Sequence, residues 1–275
     1  MGTLVKRCVF GLLFLVVVIG CLQFHWGVTA LVAFLCAGLA FECYRLLLDR
    51  RFIKEAVCVT AGSLVFLVLL ALHYQLGLPL RYSALGILPV VLASVLLLFD
   101  AAGDHAFPTA VYFPIVYVTL PLACALPLAW PGGVFSGRLL LGIFVMLWLD
   151  DIGAYVFGMG FGQRRNSRKL FPALSPKKSW IGAIGGTVCC FLAAWIYGLT
   201  LGSGQLTMPH WLALAAIVSV FGVFGDLYES LIKRHADVKD AGHFLPGHGG
   251  LLDRFDDVLF VLPLAALYLT MFSLL

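Results

Sequence analysis

Charged and polar side chains are concentrated in one stretch of the chain, residues 226–257, which we call the polar segment. It reads DLYESLIKRHADVKDAGHFLPGHGGLLDRFDD, although only 12% of all residues are charged. Apolar runs lie on both sides of it, and carboxylates and cations are costly to hold near hydrocarbon. Their concentration predicts a chemical role, and the mixture of acids, cations and glycines indicates a site for metal ions and phosphates.

Helical spacing groups the carboxylates of the polar segment in two places. The positions i, i+3, i+4 and i+7 of a helix form one face. One such face holds four polar side chains: Asp226, Glu229, Ser230 and Lys233. Asp253 and Asp256 share a face of the following helix, so both can reach the same metal ion. Oxygen ligands without cysteine and with few histidines favour Mg²⁺ over Zn²⁺.

A glycine-rich loop, residues 242–250, lies between these two helical faces and is called the glycine loop below. Glycines permit the close backbone approach that phosphate oxygens require. Four cations flank the loop in sequence: Lys233, Arg234, Lys239 and Arg254. Metal-bound phosphates, cationic clamps and in-line positioning are the requirements of phosphoryl and nucleotidyl transfer. We assign His248 to hydrogen bonding within the loop, in reach of phosphate.

Two polar features lie upstream of the polar segment. Asp150 and Asp151 interrupt an apolar helix, and intramembrane acids usually face a cavity or pair with a cation. Adjacent helical residues are about 100° apart, so we favour Asp151, with Tyr155 one turn later, and expect Asp150 nearer the edge of the bundle. The second feature, Ser175-Pro176-Lys177-Lys178-Ser179, precedes a helix predicted to begin near Ser179 or Trp180. Lysines and hydroxyls at a helix start fit an oxyanion site, and an ordinary topology anchor fits equally well.

Composition predicts an all-α polytopic membrane bundle that positions these residues. Apolar residues make up 62% of the chain, whereas a soluble domain has about one half. Runs of roughly 17–25 apolar residues indicate transmembrane helices. Nine spans are predicted, at 8–23, 27–44, 56–74, 84–99, 109–130, 137–159, 180–201, 210–228 and 257–275. The eight cysteines lie in or beside these runs without metal-ligand spacing.

The basic residues predict the orientation of the bundle. With a cytoplasmic N-terminus, every Lys and Arg except Arg81 and Arg138 falls in an inside segment, as the positive-inside rule requires. The polar segment then faces the cytoplasm. The net charge of +4 suits an anionic leaflet or anionic substrates, and no motif for nucleic-acid binding is present.

The chain is predicted to form two parts of one membrane domain. The N-terminal part, residues 1–135, consists of scaffold helices with no chemical constellation, and a homodimer contact there is kept open. Within it, Asp100, Asp104 and His105 are interpreted as a solvated turn. Residues 45–54 are interpreted as a helix end that touches anionic headgroups or as a topology signal. The C-terminal part, residues 136–275, carries the chemistry, with inside loops at 160–179 and 229–256.

The polar segment resembles the signature of the phosphatidate cytidylyltransferase family, also called CDP-diacylglycerol synthases. That signature has the form S-x-hydrophobic-K-R-x4-K-D-x-G-x2-L-P-x-H-G-G-x2-D-R-x-D. The matching positions are Ser230, Lys233, Arg234, Lys239, Asp240, Gly242, Leu245, Pro246, His248, Gly249, Gly250, Asp253, Arg254 and Asp256. Two upstream blocks also agree: Asp151-x-Gly153-Ala154-Tyr155, and Ser175-Pro176-x-Lys178 followed by Gly182, Gly185 and Gly186. The resemblance is strong over residues 140–275 and extends to the remainder only in hydropathy.

This resemblance implies an enzyme that joins CTP and phosphatidic acid to give CDP-diacylglycerol and pyrophosphate. It implies one or two Mg²⁺ ions, with a monovalent cation as a further candidate, at Asp226, Asp253 and Asp256. Catalysis would rest on these carboxylates with Lys233 and Arg254. Lys178 and Lys239 would add charge against the triphosphate. The expected route from bilayer to nucleotide is lined by Ser175, Lys177, Asp151 and Tyr155. The remaining expected substrate contacts are Ser230, Arg234, Asp240, His248, Gly249 and Gly250.

Departures from the family pattern are small, and two other classes of protein stay open. Ser179 stands where Thr is frequent, Ile181 where Glu or Gln is frequent, and Asp257 where Ser is common.

A transporter with an acidic relay would show inverted hydropathy repeats, which are not evident. A related CTP-using membrane enzyme, such as a lipid-alcohol kinase or a synthase for archaeal ether lipids, would share the nucleotide site but need a different acceptor site.

Overall fold

The structure, a computed structural model, describes residues 3–100, 109–162, 168–242 and 249–275. Helices dominate these residues, as the all-α prediction requires. The α-helices within them are α1 (Thr3–Leu22), α2 (His25–Leu47), α3 (Ile53–Leu76), α4 (Ile87–Asp100), α5 (Leu120–Ala123), α6 (Ala125–Ala129), α7 (Gly137–Gly160), α8 (Trp180–Leu199), α9 (Met208–His235) and α10 (Leu252–Met271). Short 3₁₀ turns occupy Arg50–Phe52, Leu80–Gly86, Thr109–Val111 and Pro131–Gly133.

Seven described stretches are long and apolar enough to cross a membrane. They are His25–Leu47, Arg50–Leu76, Leu80–Leu97, Thr109–Ala129, Gly137–Gly160, Trp180–Leu199 and Met208–His235. The polytopic membrane bundle is thereby confirmed, and these stretches match the second to eighth predicted spans. The first and ninth spans stay predictions, because the described apolar part of α1 is only Gly11–Leu22 and α10 begins with several charged residues.

Proline breaks the fifth predicted span. Residues 109–130 were expected to form one helix, but the structure has a π-helical turn at Ile115–Thr119 followed by the short helices α5 and α6. Proline has no N–H to donate to the preceding turn and clashes with it. Pro121 is the second residue of α5, which follows the π turn. Pro127 leaves the carbonyl of Ala123, the last residue of α5, without its usual partner.

The basic loop 160–179 contains a β-hairpin that the sequence prediction missed. Its strands are β1 (Lys169–Phe171) and β2 (Ser175–Ser179), which pair antiparallel with Lys169 opposite Ser179 and Phe171 opposite Ser175. Helix α8 begins at Trp180, as predicted. The Ser179 hydroxyl accepts a hydrogen bond from the Gly182 N–H at 3.2 Å and so caps the helix.

Small residues let α7 and α8 approach closely. A Cβ atom added at Gly186 would lie 2.8 Å from the carbonyl oxygen of Asp150, and one at Gly182 would lie 2.9 Å from that of Ala154. These distances confirm the interpretation of the α8 glycines as a helix–helix contact. The main apolar core joins α1–α3 and α5–α10. A separate, smaller cluster joins α3 to α4, Phe52 and Val111.

Candidate active site

A glycine on α9 sets the distance between the two helices that carry the acidic residues. A Cβ atom at Gly225 would lie 2.4 Å from the carbonyl oxygen of Asp256 and 2.8 Å from the Cα atom of Asp257. Only a residue without a side chain allows this approach of α10 to α9. The contact places Asp226, the next residue on α9, opposite the first turns of α10.

Three carboxylates meet at this contact and form what we call the acidic cluster: Asp226, Glu229 and Asp256. One oxygen from each lies within 4.8 Å of the others. Glu229 and Asp256 are buried, and Oε1 of Glu229 is buried without a hydrogen-bond partner in the described part of the chain. Buried like charges need a cation or a proton to offset their repulsion. Hard oxygen donors, one with an unused lone pair, fit a divalent cation of the Mg²⁺ type.

Glu229 is the member of this cluster that the sequence analysis did not name as a metal ligand. Its i+4 spacing to Lys233 favours an ion pair on the surface of the helix; the pair forms, but with the carboxylate of Glu229 buried. Its i+3 spacing to Asp226 is the signal that places it among the carboxylates, because both residues lie on one face of α9. Ser230, one residue further on, donates a hydrogen bond from its hydroxyl to Oδ1 of Asp226 at 3.5 Å.

Asp253, a predicted metal ligand, has a different set of partners. Its Oδ1 accepts a hydrogen bond from Nζ of Lys233 at 2.7 Å. Its Oδ2 accepts from the backbone N–H groups of Gly250 at 2.7 Å and Ala241 at 3.0 Å. Asp253 precedes the apolar part of α10. Burial acts to raise its pKa, but the Lys233 ammonium and the backbone N–H of Gly250 help to hold the pKa below its ordinary value. The metal role of Asp253 stays a prediction.

The β-hairpin contributes a cation to the same site. Nζ of Lys178, on β2, lies 2.5 Å from Oδ2 of Asp226. The hairpin therefore lies against the C-terminal half of α9, and Lys178, two residues before α8, reaches the acidic cluster. This contact agrees with the sequence interpretation that the residues before α8 and the polar segment belong to one site.

A pocket of about 560 Å³ opens beside the acidic cluster, between α7, α8, α9, the start of α10 and β2. Six of the predicted site residues line it: Asp151, Tyr155, Lys177, Lys178, Asp226 and Arg254. Asp150 and Asp257 line it as well, together with apolar side chains such as Ile152 and Met159. The pocket thus joins an acidic and cationic end to an apolar wall on α7.

The two adjacent aspartates of α7 differ in environment. Asp151 is exposed at the pocket, one turn before the exposed Tyr155, as the sequence suggested. Asp150 was expected nearer the bundle edge, but it is 8% exposed and its Oδ1 has no hydrogen-bond partner within the described residues. The reason is Gly186, whose missing side chain lets α8 pack directly over Asp150.

The other predicted site residues lie outside the pocket lining. Ser175 is half-buried at the start of β2, and Lys239 and Asp240 are exposed after α9. Arg234 is exposed and donates to the carbonyl oxygen of Val238 at 3.4 Å. Gly249 has a φ of +86°, a conformation that favours glycine. His248, Asp104 and His105 lie outside the described residues.

The sequence prediction missed Glu42, a residue of the N-terminal part. Its side chain lies on α2, is 4% exposed, and accepts backbone N–H groups from Leu251 at 2.9 Å and Leu252 at 2.7 Å. The prediction assigned no chemistry to residues 1–135, so a single acid in an apolar helix carried little weight. The available signal was the acid itself, because buried carboxylates in spans require a partner.

Comparison with known proteins assigns the chain to one family. The model of the Cytidylyltransferase family matches residues 5–272, so the chain belongs to that family. The chain is 47% identical over 131 residues to a protein named phosphatidate cytidylyltransferase from Bacillus subtilis (strain 168), covering 47% of this chain and 46% of the relative. Proteins of the same name from Staphylococcus epidermidis (strain ATCC 12228 / FDA PCI 1200) and Staphylococcus aureus (strain COL) are each 46% identical over 129 residues. Those alignments cover 46% of this chain and 47% and 46% of the relatives. The aligned segment therefore spans about half the length of these curated relatives.

Proposed function

We propose that this protein transfers the cytidylyl group of CTP to phosphatidic acid and releases pyrophosphate. The observation that carries the proposal is the acidic cluster at the end of a pocket that also holds Lys178 and Arg254. Carboxylates for a metal ion beside cations for phosphates are the parts that nucleotidyl transfer needs. The family membership and the printed names of the relatives support the same reaction.

In this proposal the phosphate of the lipid is the nucleophile. One of its oxygens forms a bond to the α-phosphorus of CTP, while the bond from that phosphorus to the oxygen bridging to the β-phosphorus breaks. Pyrophosphate leaves with the electron pair of the broken bond. A phosphate monoester is already ionised near neutral pH, so the reaction needs positioning and charge neutralisation more than a general base.

The acidic cluster would hold Mg²⁺, as one or two ions, with a monovalent cation as a further candidate. A bound metal ion would neutralise phosphate charge and help to orient the triphosphate. Lys178 and Arg254, which line the pocket, would bind phosphate oxygens directly. Lys233 would act from the far side of the cluster, where it joins Glu229 to Asp253. Its charge would offset that of the carboxylates.

The apolar wall of the pocket would admit the lipid. Tyr155 and Met159 are exposed on the α7 face that lines the pocket, and an acyl chain can lie against such a surface while its phosphate reaches the cations. Asp151, Lys177 and Ser175 would line the passage toward the nucleotide. We propose that this site faces the cytoplasm, because the positive-inside rule places the polar segment there. A homodimer stays open as the assembly.

The test is to follow two labels of CTP with the purified protein in lipid. CTP labelled on the α-phosphate is compared with CTP labelled on the γ-phosphate, each offered with phosphatidic acid, a dolichol-like alcohol or an ether-lipid phosphate. We expect the α label to enter lipid with phosphatidic acid and Mg²⁺, and the γ label to leave as pyrophosphate. Transfer of the γ label to the alcohol would instead identify a CTP-dependent kinase and contradict the proposal.

A further inference from the structure

We infer that Glu42, on α2 of the N-terminal part, is a positioning residue that fixes the start of α10 against α9 and thereby sets the metal affinity of the acidic cluster. The metal-affinity part of this inference rests on the proposed function. Glu42 does not belong to the acidic cluster or line the pocket, so any effect on the reaction is transmitted through α10.

The contact between Glu42 and α10 has the geometry of a helix cap supplied from another helix. The first N–H groups of an α-helix have no acceptor within the helix. At the start of α10, the N–H groups of the N-cap residue Leu251 and of Leu252 donate to Oε1 and Oε2 of Glu42 at 2.9 and 2.7 Å. Both carboxylate oxygens are used, the side chain is 4% exposed, and a negative charge at a helix N-terminus is favourable.

The two end residues of the glycine loop lie close to this carboxylate. A Cβ atom at Gly242 would lie 2.4 Å from Oε1 of Glu42, and one at Gly250 would lie 2.6 Å from Oε2. Side chains at either position would collide with the carboxylate, since real Cβ contacts do not come this close. The two glycines that end the described parts of the loop therefore leave room for Glu42, which packs between them.

From this cap, a short series of contacts leads to the acidic cluster. Asp253 directly follows the two capped residues and joins Ala241 to Gly250 by accepting both N–H groups. The same carboxylate binds Lys233, which pairs with Glu229 of the cluster. Asp256 follows three residues later on the same helix. A shift of the α10 start would therefore move Asp256 relative to the two carboxylates on α9.

The first experiment measures the cap itself and does not depend on activity. Amide hydrogen exchange is measured without added metal for wild type, Glu42→Gln and Glu55→Gln. Glu55 is the matched control because it is also a buried glutamate, on α3, whose carboxylate oxygens have no hydrogen-bond partner in the part of the chain described. We expect faster exchange at Leu251 and Leu252 in Glu42→Gln only, because the amide has one acceptor oxygen in place of two.

The second experiment measures metal affinity. Thermal unfolding is recorded against Mg²⁺ concentration for the same three proteins, and CDP-diacylglycerol formation is titrated in parallel. Residues that orient metal ligands typically change metal affinity or activity by about 10–100-fold when mutated. We expect the half-saturating Mg²⁺ concentration to rise by about tenfold in Glu42→Gln, with partial recovery of kcat at saturating metal, and to stay at the wild-type value in Glu55→Gln.

The outcomes separate this inference from the proposed function. Unchanged exchange at Leu251 and Leu252 in Glu42→Gln would overturn the cap, and an activity loss without a shift in the Mg²⁺ titration would overturn the link to the metal. If wild type makes no CDP-diacylglycerol, only the proposed function fails, and exchange and thermal unfolding still decide the role of Glu42. Should Glu42→Gln not fold, Glu42→Asp, which keeps the charge on a shorter side chain, takes its place in the same comparisons.

Discussion

Among the residues that the structure describes, buried acidic side chains are solitary in the N-terminal part of the chain and grouped in the C-terminal part. Glu42 and Glu55 lie on separate helices, and each is 4% exposed or less. In the C-terminal part, one oxygen from each member of the acidic cluster lies within 4.8 Å of the others, and the buried Asp257 lies on the same helix as Asp256. A solitary carboxylate can be satisfied by N–H donors, whereas a group of carboxylates needs cations.

This difference separates two roles for acids in one membrane bundle. Grouped acids create a site that attracts cations and, through them, phosphates. A solitary acid can fix backbone, as Glu42 does for the start of α10. The predicted boundary near residue 135 therefore separates the two arrangements of acids, but the hydrogen bonds of Glu42 to Leu251 and Leu252 cross it.

The largest effect is expected from removing one charge of the acidic cluster. Asp256→Asn keeps the size of the buried side chain but removes a carboxylate, so cation binding weakens and the phosphates lose their main source of neutralisation. We expect kcat to fall by about 100-fold or more, as for the loss of a single catalytic electrostatic contact. The measurement is CDP-diacylglycerol formation from labelled CTP across an Mg²⁺ titration.

The control for this substitution is Asp237→Asn. Asp237 is exposed directly after α9 and has a φ of +54°, a conformation that asparagine also tolerates. Its activity should stay within about twofold of wild type, since exposed side chains away from special features contribute little. Wild-type activity in Asp256→Asn, or equal losses in both variants, would contradict the metal role of the cluster.

A smaller loss of activity is expected from Asp253→Asn. The accompanying shift of the Mg²⁺ titration decides whether Asp253 binds the metal ion or positions Lys233 and the backbone. In the structure Asp253 binds Lys233 and two backbone N–H groups, so the substitution should loosen Lys233 and the glycine loop. We expect kcat/KM to fall by about 10-fold, in the range for residues that orient a site, with a smaller shift of the Mg²⁺ titration than in Asp256→Asn. An equal or larger shift would instead support direct metal binding by Asp253.

Replacing glycine by alanine is expected to have opposite effects on stability at one position in the C-terminal part and one in the N-terminal part. At Gly225 an added methyl group would lie 2.4 Å from the carbonyl oxygen of Asp256, so Gly225→Ala should separate α9 from α10 and lower stability by about 1–3 kcal/mol. At Gly20, on α1, nothing lies within 4 Å of the added Cβ atom. Gly20→Ala should therefore raise stability by up to about 1 kcal/mol.

Thermal unfolding and activity measured together check this pair. Gly225→Ala should lose both stability and Mg²⁺-dependent activity, because the helix contact that it disrupts also brings Asp226 opposite Asp256. Gly20→Ala should keep full activity. If Gly225→Ala retained wild-type activity, the close approach of α10 to α9 would have no role in the site.

Much of the site could be predicted because helical spacing and charge are local properties of the sequence. The shared face of Asp226 and Ser230 on α9, the position of Asp151 one turn before Tyr155, and the start of α8 all follow from patterns within a few residues. The grouping of Asp226 with Asp256 was instead implied by the family resemblance. The glycines of α8 also predicted their helix contact, since small residues have few other uses in a span.

The features that could not be predicted depend on contacts between distant residues or on competing local rules. Glu42 contacts Leu251, which lies far from it in sequence, and no local pattern on α2 predicts that partner. Asp253 and Asp256 share a helical face by spacing, yet the carboxylate of Asp253 binds Lys233 and two backbone N–H groups instead of joining the acidic cluster. The fifth span was predicted from hydropathy alone, which does not register the backbone hydrogen bonds that Pro121 and Pro127 remove.

The last prediction concerns the two solitary glutamates and tests the comparison most directly. Glu55→Met removes a fully buried carboxylate that has no hydrogen-bond partner among the described residues. Leaving such a group unsatisfied costs about 1–3 kcal/mol, so this variant should unfold at a higher temperature than wild type with unchanged activity. The same substitution at Glu42 removes the acceptor of the N–H groups of Leu251 and Leu252. It should therefore lower both the unfolding temperature and the activity. If the two variants shifted the unfolding temperature in the same direction, Glu42 would not differ from Glu55 in stabilising the backbone.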